Sequence, residues 1–131
     1  MADVCGAMTP DEAALEFSRV VLQMAPPYAS LFLDEEAMLN GVHAERAERS
    51  YREAGFAIAP EWRAGPADHL GLELLFLGHL LERDREIAAG FLSEYLLPWA
   101  PVCLLAIGRI RAAPLYSRLA SITLEVLQGL E

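Results

Sequence analysis

Apolar residues recur at helical rather than alternating spacing along the chain. Ala13, Phe17, Val20, Val21 and Met24 share one helical face, and Thr9-Pro10-Asp11-Glu12 ahead of them supplies an N-cap, a proline at the first helical position and acids at the positive end of the dipole. The spacing predicts a helix from Thr9 to about Met24. Pro26-Pro27 ends it, and each proline drives the residue before it out of the α region. Residues 28 to 33 are therefore expected to form an extended or turn-like connector, the least helical stretch of the chain.

A second helix is predicted to start at Asp34-Glu35-Glu36. Ala37, Ala44, Ala47, Tyr51 and Ala54 form a narrow apolar stripe, while Glu45, Arg46, Glu48, Arg49, Arg52 and Glu53 cover a solvated remainder. Gly55 stops this helix. Residues 56 to 65 read as a loop whose large apolar side chains, Phe56, Ile58 and Trp62, must cover something.

Pro66-Ala67-Asp68-His69 opens a third helix. Its Leu70, Leu74, Leu77 and Leu81 form one stripe, and Leu72, Leu75 and His79 form the opposite one, which makes it the expected central, buried helix. Asp84 begins a fourth helix carrying Ile87, Ala88, Phe91, Leu92 and Tyr95. Leu97-Pro98-Trp99 ends it, and Pro98 and Pro101 both suit a new start before Val102 to Arg111. Pro114 opens the last helix, where Leu115, Leu119, Ile122, Val126 and Leu130 share a face. No strand pattern or internal repeat is present, so the fold class is all-α: a globular bundle of five to six helices in a single domain, 1–131.

Charge narrows the partners. With 19 acidic and 10 basic residues the net charge is −9, which repels nucleic-acid phosphates. Every basic residue is Arg, so Schiff-base chemistry and a phosphate-loop Lys are unavailable. Cys5 and Cys103 have neither zinc-site nor disulfide-framework spacing and suit a reducing compartment. The N-terminus carries acids where a signal peptide needs basic residues, and the apolar run Leu70 to Leu81 is broken by Glu73 and His79 and too short to span a bilayer. A soluble, cytoplasmic protein without direct membrane insertion is the expectation.

Candidate chemistry is sparse. Asp68 and His69 are adjacent, and neighbours on a helix point about 100° apart, which opposes an acid–base dyad. Asp68 is expected to cap its helix by accepting from free first-turn amides, with His69 lining the surface or a groove beside Phe76 and Leu80. His79 reads as a hydrogen-bonded core histidine and His43 as solvated. No metal-ligand spacing, nucleophile elbow or Gly-rich phosphate loop occurs, so no enzyme is indicated and no cofactor or metal is implied. The apolar and aromatic residues beside prolines, Pro26-Pro27-Tyr28, Trp62 and Leu97-Pro98-Trp99, read either as lids over helix ends or as a groove for an apolar peptide with acids at its rim.

Four ordered segments carry a family resemblance: Pro26-Pro27-Tyr28-Ala29-Ser30 followed by Leu33 to Gly41, then Pro66-Ala67-Asp68-His69-Leu70-Gly71, then Leu96-Leu97-Pro98-Trp99, then Pro114-Leu115-Tyr116. Together they resemble the TorD/DmsD maturation chaperones over nearly all of the chain from Ala25. The resemblance implies an all-helical cytoplasmic chaperone that binds the twin-arginine leader and apoprotein of a molybdoenzyme and assists cofactor insertion. It implies leader binding at Pro27, Tyr28, Pro66, Asp68 and His69, with Trp99 as a further partner-binding candidate. Tyr28 stands where some members have Trp, and Ala64-Gly65 stands where the family often has Glu. The part before the Pro-Pro connector is shorter than in the family, which implies either a smaller bundle or a homodimer, swapped or plain. The rival reading is a helical dimerisation or regulatory module without leader specificity.

Overall fold

The computed structural model describes residues 8–33, 41–59 and 66–130. The described residues form seven helices. They fall into two compact units, one made by Met1–Pro26 with Pro101–Glu131 and the other by Pro27–Ala100.

In the first unit, α1 (Pro10–Glu16) is held at its start by a capping box. Thr9 Oγ1 accepts from the Glu12 amide at 3.1 Å, and Glu12 Oε2 accepts from the Thr9 amide at 3.2 Å. The helix continues through a π-helical stretch, Phe17–Val21, to Leu22–Met24, as the spacing predicts. Helix α6 (Ala100–Gly108), from Pro101 onward, and α7 (Pro114–Leu130) complete the unit. Tyr116 Oη donates to the Ala13 carbonyl at 2.8 Å, and its ring lies 5.3 Å from that of Phe17. Cys103 is fully buried, and burial pushes its thiol up to about 12, so it stays protonated and inert. Cys5 lies outside the described residues.

Helix α7 does not turn its most apolar stripe inward. Its core positions are Ala120 and Leu127, whereas Leu119, Val126 and Leu130, on the richest apolar stripe, stand 53%, 57% and 42% exposed. Small Ala120 lets the helix lie close to its unit, and that contact turns the branched stripe away.

The second unit contains α2 (Ala29–Leu33), α3 (Val42–Glu53), α4 (Leu70–Arg83) and α5 (Arg85–Phe91), the last extended by a π-helical stretch, Leu92–Leu96. Ala44, Ala47 and Tyr51 are buried on α3 as expected, and Gly55 ends it at φ +68°, where glycine has no Cβ penalty. The helix expected to run on from Asp34-Glu35-Glu36 instead starts at Val42, because Gly41 is extended at φ −92° and ψ −150°; residues 34–40 and the side chain of Trp62 lie outside the described residues. His43 is half-buried rather than solvated. Asp84 caps α5 by accepting from the amides of Glu86 and Ile87 at 3.0 and 3.2 Å.

Helix α4 is central in its unit, but not through two opposite stripes. It buries one broad face, Leu70, Leu72, Glu73, Phe76, Leu77 and Leu80, and leaves Leu75 and Leu81 exposed. Phe76 anchors that face with ring contacts to Tyr51 at 4.8 Å, Phe91 at 4.9 Å and Phe56 at 5.3 Å. The Tyr51 and Phe91 contacts are edge-to-face, a geometry that adds roughly 0.5–1.5 kcal/mol each beyond area burial, and the Phe56 contact is tilted. Phe56 and His79 thus cover the edge of an aromatic core, with His79 Nε2 buried and unpartnered instead of hydrogen-bonded.

Candidate functional site

The two prolines of Pro26-Pro27 leave Ala25 with φ −148° and ψ 67°, outside the helical region. Pro27 has no N–H to offer, and its carbonyl accepts from the Leu70 amide at 2.8 Å. The Ala29 amide donates to the Asp68 carbonyl at 3.1 Å, so Tyr28 and His69 form an isolated antiparallel bridge between two segments about forty residues apart in sequence.

The side chain of Asp68 completes this clasp. Its Oδ2 accepts from the Ser30 amide at 2.7 Å and from Ser30 Oγ at 2.6 Å, both buried. Here two expectations fail together. Residues 28 to 33 are not all extended, because Asp68 caps the free amides at the start of α2 and makes the short helix Ala29–Leu33 possible; the prolines restrict only what precedes them. Conversely, Asp68 does not cap its own helix. That position belongs to His69, whose Nδ1 accepts from the Gly71 amide at 2.9 Å. A Cβ on residue 71 would stand 3.2 Å from His69 Nδ1, so glycine gives the imidazole its room.

His69 also meets the Tyr28 ring edge-on at 5.0 Å and 84°, where Phe76 and Leu80 had been expected as its neighbours. Burial lowers its pKa, and Asp68 opposes that effect. Burial and then the Asp68 charge raise the Tyr28 pKa. From α3, Tyr51 Oη donates to the Ala67 carbonyl at 2.7 Å, fixing the turn that presents Asp68.

The structure therefore brings Pro27, Tyr28, Asp68 and His69 together, with Pro66 half-buried at the entry to the turn. Pro27 is buried, Tyr28 is 7% and Asp68 1% exposed, and Trp99 is fully buried, so none of the four presents a free surface to a partner while the clasp is closed. Trp99 packs beside Phe32, ring centroids 5.8 Å apart.

Three participants were not singled out in the sequence: Ser30, Gly71 and Glu73. Glu73 is 2% exposed on the buried face of α4. Desolvation raises its pKa well above the usual carboxylate range and the Asp68 charge raises it further. The Trp99 indole favours the carboxylate, although Trp99 Nε1 has no partner at full hydrogen-bond geometry. Its signal was legible: Glu73 interrupts an apolar run at three residues from Leu70 and four from Leu77.

Two grooves mark the same unit. One, about 330 Å³, is apolar and lined by Phe56, Ala57, Ile58, Ala59, Leu72 and Leu75. The other, about 210 Å³, joins Phe76, Leu80, Ile87, Phe91 and Tyr95 to the polar Ser50 and Glu53. The Arg46 guanidinium lies over the Tyr95 ring, 4.7 Å from its centroid. Among the described residues no group of three or more His, Cys, Asp or Glu could hold a metal ion, and no single helix is long and apolar enough to cross a membrane.

Residues 1–104 match the family described as nitrate reductase delta subunit. Similar proteins include the chaperone protein TorD of Vibrio vulnificus, 33% identical over 106 residues, which cover 69% of this chain and 49% of the relative. The probable Tat proofreading chaperone DmsD of Haemophilus influenzae is 30% identical over 103 residues, covering 79% and 50%. TorD of Photobacterium profundum is 32% identical over 114 residues, covering 76% and 47%. The chain spans about half the length of the curated relatives it matches. Relatives with these names bear out the family resemblance, and the family match spans the first three of its four segments.

Proposed function

Because the chain belongs to the nitrate reductase delta subunit family, we propose that it is a non-enzymatic cytoplasmic chaperone for a molybdopterin-containing oxidoreductase, binding the twin-arginine leader and apoprotein of its client before export. The observation that carries this reading is the clasp. Two segments that resemble the family's leader-linked motifs, 26–30 and 66–71, are bonded to one another through Asp68 and Ser30.

A twin-arginine leader combines a cationic pair with an apolar run. Grooves lined by aromatic and aliphatic side chains suit the apolar run, and Glu53 beside one of them, on a chain of net charge −9, suits the arginines. Pro27, Tyr28, Pro66 and His69 are the proposed leader contacts. Pro27 and Tyr28 are buried in the closed clasp, so contact at these two requires the clasp to open, and the equally buried Asp68 and Trp99 serve behind them.

A second copy of the chain is a further proposed partner. The exposed stripe Leu119, Val126 and Leu130 on α7 could bury itself against the same stripe of another copy in an isologous pair. Without leader specificity, that contact would be the whole function, and the chain would be a dimerisation module.

Affinity capture from cells containing candidate precursors tests the chaperone reading. Mass spectrometry should find a molybdoenzyme precursor with its leader intact, and capture should fail when that leader is deleted. Equal capture of leaderless client would turn the reading towards the dimerisation module.

A further inference from the structure

The smaller groove of the second unit already contains a guanidinium. Tyr95, on the π-helical end of α5, is half-buried and stacked on the buried Phe91, with ring centroids 5.2 Å apart and planes 15° from parallel. That stack fixes the Tyr95 ring, and the exposed Arg46 of α3 lays its guanidinium over it, 4.7 Å from the centroid. Arg46, Ser50 and Glu53 follow at intervals of four and three residues, so they share one face of α3, with Arg46 and Glu53 about 10.5 Å apart along its axis. Ser50 and Glu53 give the groove its polar wall, over an apolar floor of Phe76 and Leu80.

We propose that the Tyr95 face is an arginine-binding subsite that Arg46 fills in the unbound chain, and that a client arginine displaces Arg46 while Glu53 pairs with a second one. A planar guanidinium stacks on an aromatic face and also bonds a carboxylate, and this groove offers one of each. Displacement costs little, because an exposed cation–π contact is weak and the released Arg46 regains water. Two neighbouring arginines use both partners, whereas a neutral side chain of the same shape uses neither. The identity of the client rests on the reading above, but the guanidinium subsite does not.

The test therefore begins without a leader. The full chain is titrated with N-acetylarginine amide and with its neutral isostere, N-acetylcitrulline amide, while the Tyr95 ring resonances, assigned by their absence in Tyr95→Phe, are followed by nuclear magnetic resonance. The arginine compound should shift them and the citrulline compound should not. In Arg46→Gln the same shift should need about threefold less ligand, because the built-in competitor is gone. Arg52→Gln makes the same change of charge on another face of α3 and should behave as wild type. No shift in Arg46→Gln, an equal shift with citrulline, or an equal gain in Arg52→Gln would overturn the proposal. A twin-arginine leader peptide should likewise bind Arg46→Gln about threefold more tightly than wild type, with no gain for the peptide carrying Gln for both arginines. A leader that binds both chains equally would overturn the subsite and leave the chaperone reading standing. A Tyr95 response to the arginine compound without any leader binding would support the subsite and remove the chaperone reading alone.

Discussion

Asp68 Oδ2 accepts two hydrogen bonds from Ser30, one from its amide and one from its hydroxyl, at 2.7 and 2.6 Å across 38 residues of sequence. A carboxylate in this position is a tertiary cap: it starts α2 from outside that helix and ties the connector to the turn before α4.

Replacing Asp68 should therefore cost more than an exposed N-cap. Asp68→Asn removes the charge from two buried bonds, and the urea midpoint should report a loss of roughly 1.5–3 kcal/mol, the range for hydrogen bonds to charged groups. Ser30→Ala removes one of the two and should cost about 1 kcal/mol. Midpoints equal to wild type in both variants would show that the clasp contributes nothing to stability.

His69 gives a pH-dependent prediction. Burial lowers its folded pKa below the ordinary 6.5, so the folded state binds fewer protons there than the unfolded chain. Its contribution to stability is present above pH 6.5 and is lost as pH falls towards the folded pKa. Glu73, with a raised pKa, acts in the opposite direction, losing its contribution as pH rises above 4.5 and through the folded pKa. The difference between wild type and His69→Asn isolates the histidine, because Asn keeps an N-cap acceptor. On acidification through 6.5, the urea midpoint of wild type should fall relative to that of His69→Asn. A constant difference between them would show that His69 carries no proton-linked stability.

Much of this was legible in the sequence, and the misses share a cause. Thr9, Gly55, Asp84 and Pro114 act locally, so their helix ends can be read from neighbours in the chain. The role of Asp68 could not be read that way, because the amides it caps lie 38 residues earlier and only the bridge between Tyr28 and His69 brings them near. In α4, leucine spacing alone suggested two stripes, yet Phe76 and Glu73 lie at the centre of the buried face. In α7, the small Ala120 and not the larger leucine stripe faces the core. Of the residues singled out by the resemblance, Pro27, Tyr28, Asp68 and His69 converge, while the roles of Ser30 and Glu73 depend on that convergence.

Glu53 should act at long range. An exposed acid contributes only about 0.2–1 kcal/mol to a partner arginine. Glu53→Gln should therefore weaken leader binding up to about fivefold at low salt, and the difference should shrink as the Debye length falls to about 3 Å near 1 M salt. Anisotropy titrations at two salt concentrations measure it, and a salt-independent difference would exclude screening as the explanation.

Self-association should depend on α7. Leu119→Glu combined with Val126→Glu places charge on the exposed stripe and leaves the buried Ala120 and Leu127 untouched. Light scattering should give a dimer for wild type and a monomer for the double variant, with equal helicity by circular dichroism. A monomeric wild type at high concentration would remove the second copy as a partner.

The central claim is leader recognition, and the most direct measurement is calorimetric titration of the full chain with a twin-arginine leader peptide and with the same peptide carrying Gln for both arginines. The account predicts that the native leader binds and that the Gln peptide binds at least about tenfold more weakly, which corresponds to about 1.4 kcal/mol. Equal affinity for the two peptides, or no binding of either, would contradict it.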